Sequence, residues 1–303
     1  MKVFSGTILV LLTLGLFGCK YNHIKKETTY REFNYQGHDR SYLVHTPTNY
    51  DSAKSYPLIF VLHGITSRAK AIAGFSKFNE VSDRKEFIVC YPQGYKRSWA
   101  IDIPVGPAPK AGIDDLGFIE RLMDTLIFNY SVDTNQIYSC GISNGGFMTS
   151  SLACNRSQRI SGFAIVCGNM FDPPQKYYCA DKPMKVLLIS GTNDPLLVYD
   201  GDKFRKDYRF LGYPKTIEFW QEVNNYPDLV DSTVFDNDPK DKTSVVRYYN
   251  GETENPHKIE LWKINGGGHG WPGRGRDFKS LFLGKVSNEI NAAEVIADFL
   301  LSR

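Results

Sequence analysis

The sequence lacks several features that would assign it quickly to a functional class. Basic runs are no longer than two or three residues, and 36 Lys and Arg against 33 Asp and Glu leave a net charge of only +3. A nucleic-acid-binding surface needs a clustered basic face, so this class is disfavoured. Internal repeats and low-complexity linkers are also missing, which argues against a solenoid. With 42% hydrophobic and 23% charged residues over 303 positions, the composition is that of an ordinary globular protein.

Long hydrophobic runs are absent except at the N-terminus. There Val3–Gly18 is mostly apolar and follows Lys2, which is the pattern of a secretory signal and is short for a membrane span of about 20 apolar residues. The end of this segment, Leu16–Cys19, resembles a bacterial lipobox and predicts lipidation of Cys19. The alternatives are plain secretion or a disulfide role for this cysteine. We therefore expect export to the periplasm or cell surface as a lipoprotein, or otherwise secretion.

The cysteines fit no metal site. The five that follow Cys19 are Cys90, Cys140, Cys154, Cys167 and Cys179. They form no CxxC motif and no paired histidines accompany them, so the sequence predicts no bound metal. Three of the five fall in predicted buried strands, and export implies an oxidising compartment. We therefore predict one disulfide, Cys154–Cys179, with five free thiols as the alternative.

Strand and helix patterns alternate through most of the chain, and this predicts an α/β fold. Apolar or β-rich runs predict strands, and helical spacing predicts the segments between them. The predicted strands are Tyr30–Gln36, Arg40–Thr46, Leu58–His63, Phe87–Tyr91, Gln136–Cys140, Gly162–Cys167, Val186–Ser190, Ser244–Tyr249 and Lys258–Ile264. The predicted helices are Ser76–Lys85, Ile113–Tyr130, Asn144–Cys154, Thr216–Asn225 and Asn291–Leu301. Such alternation favours one mostly parallel central sheet with helices on both faces. The polar segment Tyr226–Lys242 is predicted to be a surface excursion.

A serine motif lies between a predicted strand and a predicted helix. Gly141–Gly145 has the pattern G-x-S-x-G, with the strand directly before it and the helix directly after it. This setting is that of a nucleophile elbow, in which a sharp turn projects the serine hydroxyl above the sheet. We predict that Ser143 is the nucleophile; the alternative is a glycine-rich turn with a serine N-cap.

A serine nucleophile needs a base and an orienting carboxylate. In an α/β-hydrolase layout the acid and the histidine follow the serine in that order, each after a later strand. Asp194 follows one predicted strand and His269 follows the last one, in a glycine-rich loop. We predict a triad of Ser143, Asp194 and His269. The reserve candidates are Asp200 and Asp202 for the acid, and His257 is a weak alternative for the base.

Two backbone N–H groups are expected to form an oxyanion hole. One belongs to the residue after the nucleophile, Asn144, and the other to the loop after an early strand, either Ile65 or Thr66. His63, which precedes that loop, is predicted to be structural, because His269 already fits the role of base.

Several segments together resemble the polyhydroxybutyrate-depolymerase/feruloyl-esterase group of α/β hydrolases, in carbohydrate esterase family one. They are Pro57–Gly64, Tyr91–Gly94, Ser98-Trp99, Asp114–Phe118, Val132–Met148, Gly191–Gly201 and Gly266–Gly273. The resemblance implies the same triad and ester hydrolysis without a cofactor. It also implies that Trp99 and Trp271 line the substrate cleft, with core packing as the alternative.

The predicted organisation is a lipoprotein-type signal over residues 1–18, a polar tether over 19–29 and a single α/β-hydrolase catalytic domain over 30–303. The resemblance implies a secreted serine esterase that cleaves feruloyl or acyl esters on plant oligosaccharide or polysaccharide. No nucleic-acid partner is expected, and membrane contact is expected only through the lipid anchor. The alternatives are a polyhydroxyalkanoate depolymerase, a peptidase that uses the same triad, and a non-catalytic carbohydrate-binding lipoprotein on the same scaffold.

Overall fold

The computed structural model of the chain describes residues 28–101, 103–174, 182–204, 208–237, 240–251, 254–275 and 280–302. Its strands are β1 (Thr28–Tyr35), β2 (His38–His45), β3 (Tyr56–Leu62), β4 (Ile88–Pro92), β5 (Val132–Ile142), β6 (Gly162–Val166), β7 (Phe171–Asp172), β8 (Lys185–Gly191), β9 (Gly201–Phe204), β10 (Tyr208–Leu211), β11 (Asp231–Phe235), β12 (Ser244–Tyr249) and β13 (Ile259–Asn265). Its helices are α1 (Ala69–Phe75), α2 (Phe78–Lys85), α3 (Pro107–Lys110), α4 (Asp115–Asn129), α5 (Asn144–Asn155), α6 (Tyr213–Asn224), α7 (Ser280–Leu283) and α8 (Ala292–Leu301).

A large twisted sheet organises these elements. Its strand order is β1-β2-β4-β3-β5-β6-β8-β13-β12-β11, and a small sheet has the order β7-β10-β9. The central strands from β4 to β13 are parallel, whereas the pairs at both edges are antiparallel. Each parallel connection needs a crossover. Helices α1 and α2 lie between β3 and β4, α5 lies between β5 and β6, and α6 lies between β8 and β13.

The hydrophobic core lies on both faces of the large sheet because side chains alternate along each strand. In β3, Phe60 belongs to one apolar cluster and its neighbour Val61 to the other. The first cluster includes side chains of α4, α5 and α6, and the second includes side chains of α1, α2 and α8. The predicted fold class, a mostly parallel sheet covered by helices on both faces, is confirmed.

Some local predictions differ from the structure. The predicted excursion Tyr226–Lys242 contains β11, which pairs with β12 at the sheet edge. The last two residues of the predicted tether, Thr28 and Thr29, pair with β2 as part of β1. Both segments are polar, and an edge strand with one solvated side gives little hydrophobic signal. The predicted signal segment lies outside the described residues. None of the described helices has the length and apolarity needed to cross a membrane.

The fold brings the loops of interest to one edge of the sheet. β3, β5, β8 and β13 are parallel, so their carboxyl ends lie at the same edge. The residues predicted for the site follow these strands directly. Open α/β sheets place their ligand sites in the crevice outside these carboxyl ends.

Candidate active site

Ser143 occupies a sharp turn between β5 and α5. Its backbone angles are φ 57° and ψ −122°, a region that costs a non-glycine residue about 1–3 kcal/mol. Its amide donates a hydrogen bond of 3.0 Å to the Val166 carbonyl. A Cβ on Gly145 would lie 2.3 Å from the Leu62 carbonyl oxygen, so only glycine lets α5 approach β3 this closely. The strand–turn–helix geometry is that of a nucleophile elbow.

Asp194 and His269 form a buried acid–base pair. Nδ1 of His269 lies 2.7 Å from Oδ2 of Asp194. The other carboxylate oxygen, Oδ1, accepts hydrogen bonds from the amides of Leu196 and Leu197, at 2.8 and 2.9 Å. An ionised carboxylate has no proton to donate, so the proton of this hydrogen bond lies on Nδ1 of His269. In the neutral imidazole, Nε2 is then the acceptor.

The alternative residues for the acid and the base lie elsewhere. Asp200 and Asp202 are both exposed to solvent. The His257 carbonyl accepts from the Asn224 amide, and the residue precedes β13, at the sheet edge opposite the elbow. Neither exposed carboxylate has the burial that gives the Asp194 pair its fixed geometry.

Ser143 and His269 line the same cleft, which has a volume of about 180 Å³. Within the described chain, neither the Ser143 hydroxyl nor Nε2 of His269 is used in a hydrogen bond. A hydroxyl and an unprotonated imidazole nitrogen on one cleft are the two groups that general-base activation of a nucleophile requires. Catalytic hydrogen bonds of this kind commonly tighten only when substrate binds.

The structure leaves the amides of Ile65 and Asn144, two of the predicted oxyanion donors, available at the cleft. Both residues line the cleft, and neither amide donates to another described residue. The amide of Thr66, the predicted alternative to Ile65, instead donates to the Arg97 carbonyl at 2.8 Å. The structure therefore removes Thr66 from the candidates, because its N–H group is already used.

The predicted placement of Trp99 and Trp271 in the cleft is wrong, since both side chains are fully buried. The Trp99 indole N–H donates to the His63 carbonyl at 2.8 Å, which turns the ring inward. The Trp271 ring packs edge-on against Phe75 and Phe78, with centroids 6.3 and 6.0 Å away. Core packing, the alternative reading of both tryptophans, is the one that the structure supports.

Apolar side chains line the cleft in place of the two tryptophans. The aliphatic ones are Ile65, Ile101, Ile103, Val105, Leu196 and Leu197. The rings of Phe147 and Phe171 stack at a centroid distance of 4.7 Å and complete the lining. Apart from Ile65, these residues were not predicted from the sequence. A signal was present in the apolar residues at alternate positions of the loop after Trp99, where a purely solvated loop would be polar.

His63 has the contacts of a structural residue. Its Nδ1 donates to the Gly64 carbonyl at 2.8 Å, and its Nε2 accepts from the Gly94 amide at 3.0 Å and from Gln93 Nε2 at 3.1 Å. Burial lowers the pKa of His63 from 6.5 to about 4. The neutral ring therefore satisfies both of its nitrogens and fixes the loop that carries Ile65.

The cysteines near the site are buried. The Cys167 sulfur lies within 4.8 Å of a carboxylate oxygen of Asp194 and of a ring nitrogen of His269. It donates to the Gly270 carbonyl at 3.4 Å. Burial raises its pKa, and the Asp194 charge adds to this, so Cys167 is a hydrogen-bonded thiol. Burial also raises the thiol pKa of Cys90 and Cys140 well above its usual value.

The remaining cysteine predictions are not settled by the structure. Cys154 is buried in the last turn of α5. Its predicted disulfide partner Cys179 lies outside the described residues, and so does the predicted lipidation site Cys19. The bridge and the lipidation both stay predictions.

Two solved structures with a similar fold carry esterase names. An acetyl xylan esterase from Aspergillus awamori matches with a TM-score of 0.57 and 15% identity, over 80% of this chain and 94% of that one. A CE1 ferulic acid esterase from Anaeromyces mucronatus, in complex with ferulic acid, matches with a TM-score of 0.53 and 17% identity, over 92% and 93% of the two chains. At these identities the likeness shows the fold.

Relatives identified by sequence also carry esterase names. The protein named "Putative esterase NocK" from Nocardia uniformis is 27% identical over 288 residues, which cover 90% of this chain and 83% of the relative. "Probable feruloyl esterase C" from Aspergillus niger is 26% identical over 234 residues, which cover 74% and 82%. The family model described as Esterase PHB depolymerase matches residues 40–221, more than half of the chain. The chain is therefore a carboxylic-ester hydrolase that belongs to the esterase PHB depolymerase family.

Proposed function

We propose that the enzyme hydrolyses carboxylic esters through an acyl-enzyme on Ser143, with His269 as the base and Asp194 as its orienting acid. The observation that carries this proposal is the hydrogen bond of 2.7 Å between His269 Nδ1 and Asp194 Oδ2, beside a cleft that Ser143 also lines. This bond leaves Nε2 of His269 to accept the serine proton.

The first half of the reaction forms the acyl-enzyme. Nε2 of His269 takes the proton of the Ser143 hydroxyl while Oγ bonds to the ester carbonyl carbon. The carbonyl oxygen becomes an oxyanion and accepts hydrogen bonds from the Ile65 and Asn144 amides. The intermediate then collapses: the carbon–oxygen bond to the alcohol breaks, and the alcohol leaves with the proton from His269.

The second half frees the enzyme. Water gives a proton to Nε2 of His269 and its oxygen bonds to the acyl carbon, which regenerates an oxyanion at the same two amides. When this intermediate collapses, the bond to Ser143 Oγ breaks and the serine recovers the proton from His269. The carboxylic acid is released, so one ester and one water give one acid and one alcohol.

We assign the acyl part of the ester to the apolar cleft and the alcohol part to the solvent side. The cleft volume of about 180 Å³ is below the ~300–1,000 Å³ of sites that enclose a whole drug-sized ligand. A feruloyl or short acyl group on plant oligosaccharide or polysaccharide suits this division, because the sugar would stay outside. The names of the feruloyl esterase relative and of the acetyl xylan esterase neighbour support the same substrate class.

A polyester is the second candidate substrate. The matching family description names a PHB depolymerase, and a hydroxyacyl unit has the size of a short acyl group. A substrate series separates the two candidates. Turnover of methyl ferulate or acetylated xylan with none on polyhydroxybutyrate supports the first candidate, and the reverse result supports the second.

Export and a lipid anchor on Cys19 complete the proposal. They depend on the apolar segment Val3–Gly18 and the cysteine after it. The test is fractionation of cells that express the full chain. The wild type should appear in the membrane fraction with a lipid-modified Cys19 in mass spectrometry, and Cys19→Ser should move the activity away from the membrane.

The mechanism is tested with two serines that bracket β5. Ser143 follows this strand and Ser131 precedes it, at the opposite edge of the sheet. Ser143→Ala should lower kcat on p-nitrophenyl acetate by about 10⁶-fold, whereas Ser131→Ala should keep wild-type activity. The wild-type enzyme should hydrolyse esters and should not hydrolyse a peptide anilide. Activity of Ser143→Ala within tenfold of the wild type would exclude this nucleophile.

A further inference from the structure

Trp99 lies between the two chain segments that carry the candidate oxyanion amides. Its backbone N–H donates to Oδ1 of Asn144 at 2.8 Å, and its carbonyl accepts from Nδ2 of Asn144 at 3.5 Å. Its indole N–H donates to the His63 carbonyl at 2.8 Å. Trp99 and His63 are fully buried and Asn144 is nearly so, which means that water does not compete for these hydrogen bonds. One residue therefore connects the start of α5 to the loop after β3.

The two candidate amides sit directly beside these contacts. One belongs to Asn144 itself, and the other belongs to Ile65, two residues after His63. The loop that carries His63 and Ile65 has further contacts. His63 Nε2 accepts a hydrogen bond from the Gly94 amide, and the His63 ring lies 5.1 Å from the Trp99 ring, centroid to centroid. Trp99 is thus hydrogen-bonded to the Asn144 side chain and to the His63 carbonyl, but to neither of the two amides.

We propose that Trp99 and the Asn144 side chain are positioning residues that set the separation of the Ile65 and Asn144 amides. The inference rests on the proposed function, since it concerns the oxyanion of that reaction. Donors stabilise an oxyanion only when they lie about 2.7–3.1 Å from the place where it forms. The two amides belong to different segments of the chain, so their separation depends on a contact between the segments. Trp99 and Asn144 provide that contact.

The test is Trp99→Phe, which keeps an aromatic ring and removes the indole N–H. We expect kcat on p-nitrophenyl acetate to fall about 10- to 100-fold, because a displacement of about 1 Å in a donor is enough for such a loss. KM should stay within about threefold, since the ground-state carbonyl depends less on the amides. Inhibition by phenylboronic acid, which forms a tetrahedral adduct with a serine, should weaken in parallel with kcat.

The matched control is Trp220→Phe. Trp220 is also fully buried, on α6, and its indole nitrogen has no hydrogen-bond partner in the described chain. This variant loses the same side-chain volume without breaking a hydrogen bond, so its kcat and boronate inhibition should match the wild type. An equal loss of kcat in Trp99→Phe and Trp220→Phe would overturn the proposal.

A second variant, Asn144→Ala, tests the same contact from the other side. It retains the amide but removes the side chain that holds Trp99, and it should show the same fall in kcat with little change in KM. A raised KM with normal kcat in both variants, or a kcat loss that only follows the loss of folded protein in thermal melts, would also overturn the proposal. If the wild type has no Ser143-dependent turnover, the proposed function itself fails. Normal kcat in the variants of an active wild type overturns only the positioning role.

Discussion

His269 Nδ1 and Asp194 Oδ2 lie 2.7 Å apart although the two residues belong to loops that follow different strands. Neither partner can rotate freely. Asp194 is held by two backbone amides through its other oxygen, and the His269 side chain is only 7% exposed. These contacts hold the imidazole of His269 in one orientation relative to the Asp194 carboxylate.

Replacing Asp194 should show that turnover depends on its hydrogen bond to His269. Asp194→Asn should lower kcat on p-nitrophenyl acetate by about 10⁴-fold with little change in KM, because an amide at this position favours the wrong imidazole tautomer. Asp200→Asn is the control, since this exposed carboxylate lies six residues further along the same loop and should be silent. A silent Asp194→Asn together with an impaired Asp200→Asn would assign the acid role to Asp200.

His63 should make stability depend on pH. Its pKa is lowered by burial from 6.5 to about 4, so between these pH values the unfolded chain binds a proton that the folded chain does not. The free energy of unfolding should therefore fall by up to about 3 kcal/mol as the pH drops from 7 to 4. Urea denaturation at several pH values measures this slope.

The control for this slope is a pair of histidine variants. His63→Gln should flatten the dependence, whereas His38→Gln, at the partly exposed start of β2, should keep it. An unchanged slope in His63→Gln would mean that another group carries the proton linkage.

The cleft lining should set acyl preference. Leu196 lines the cleft and is 52% exposed, while Val198, on the same loop, is 46% exposed and does not line it. Leu196→Ala should lower kcat/KM for p-nitrophenyl butyrate about 5- to 10-fold and for the acetate less, because apolar contact is lost only where the longer chain reaches. Val198→Ala should leave both values unchanged. Equal effects of the two variants would place the acyl group elsewhere.

A buried ion pair between β2 and α4 should contribute to stability only as a pair. Arg40 and Asp115 are 2% and 1% exposed, and Oδ2 of Asp115 also accepts from the Ala100 amide at 2.7 Å. Asp115→Ala leaves the Arg40 charge buried without its partner, and should cost about 3–5 kcal/mol in urea denaturation.

A surface ion pair serves as the comparison. Glu120 bonds to Arg156 at 2.8 Å with both side chains about one third exposed. Glu120→Ala should cost about 0–1 kcal/mol. If the two alanine variants differ by less than about 1 kcal/mol, the Arg40–Asp115 pair has no special stabilising role.

The backbone frame and the order of the site residues could be predicted from the sequence. Buried parallel strands are continuous apolar runs, and the segment that follows each of them at the carboxyl edge must lie near the same crevice. Ser143, Asp194 and His269 were predicted on this ground, and the structure brings all three to one edge of the sheet. The elbow was the strongest signal, because a glycine-flanked serine between a strand and a helix has few other uses.

Side-chain direction inside loops could not be predicted in this way. Trp99 and Trp271 have the size and location expected of cleft residues. The contact of Trp99 with His63, and those of Trp271 with Phe75 and Phe78, nevertheless hold both rings in the core. Ile65 and Thr66 are neighbours in the loop after β3, and the sequence gives no reason to prefer either amide. The structure distinguishes them because the Thr66 amide donates to the Arg97 carbonyl. Each of these outcomes depends on a partner distant in sequence, which a local pattern does not contain.

The loop that follows β4 carries Trp99 and, a few residues later, Ile101, Ile103 and Val105 of the cleft wall. Point substitutions at the wall residues can change the shape of the cleft while the backbone keeps its path. An insertion or deletion in the same stretch would also pull on Trp99. In engineered and natural variants alike, we therefore expect this loop to tolerate substitutions of the wall residues better than insertions or deletions.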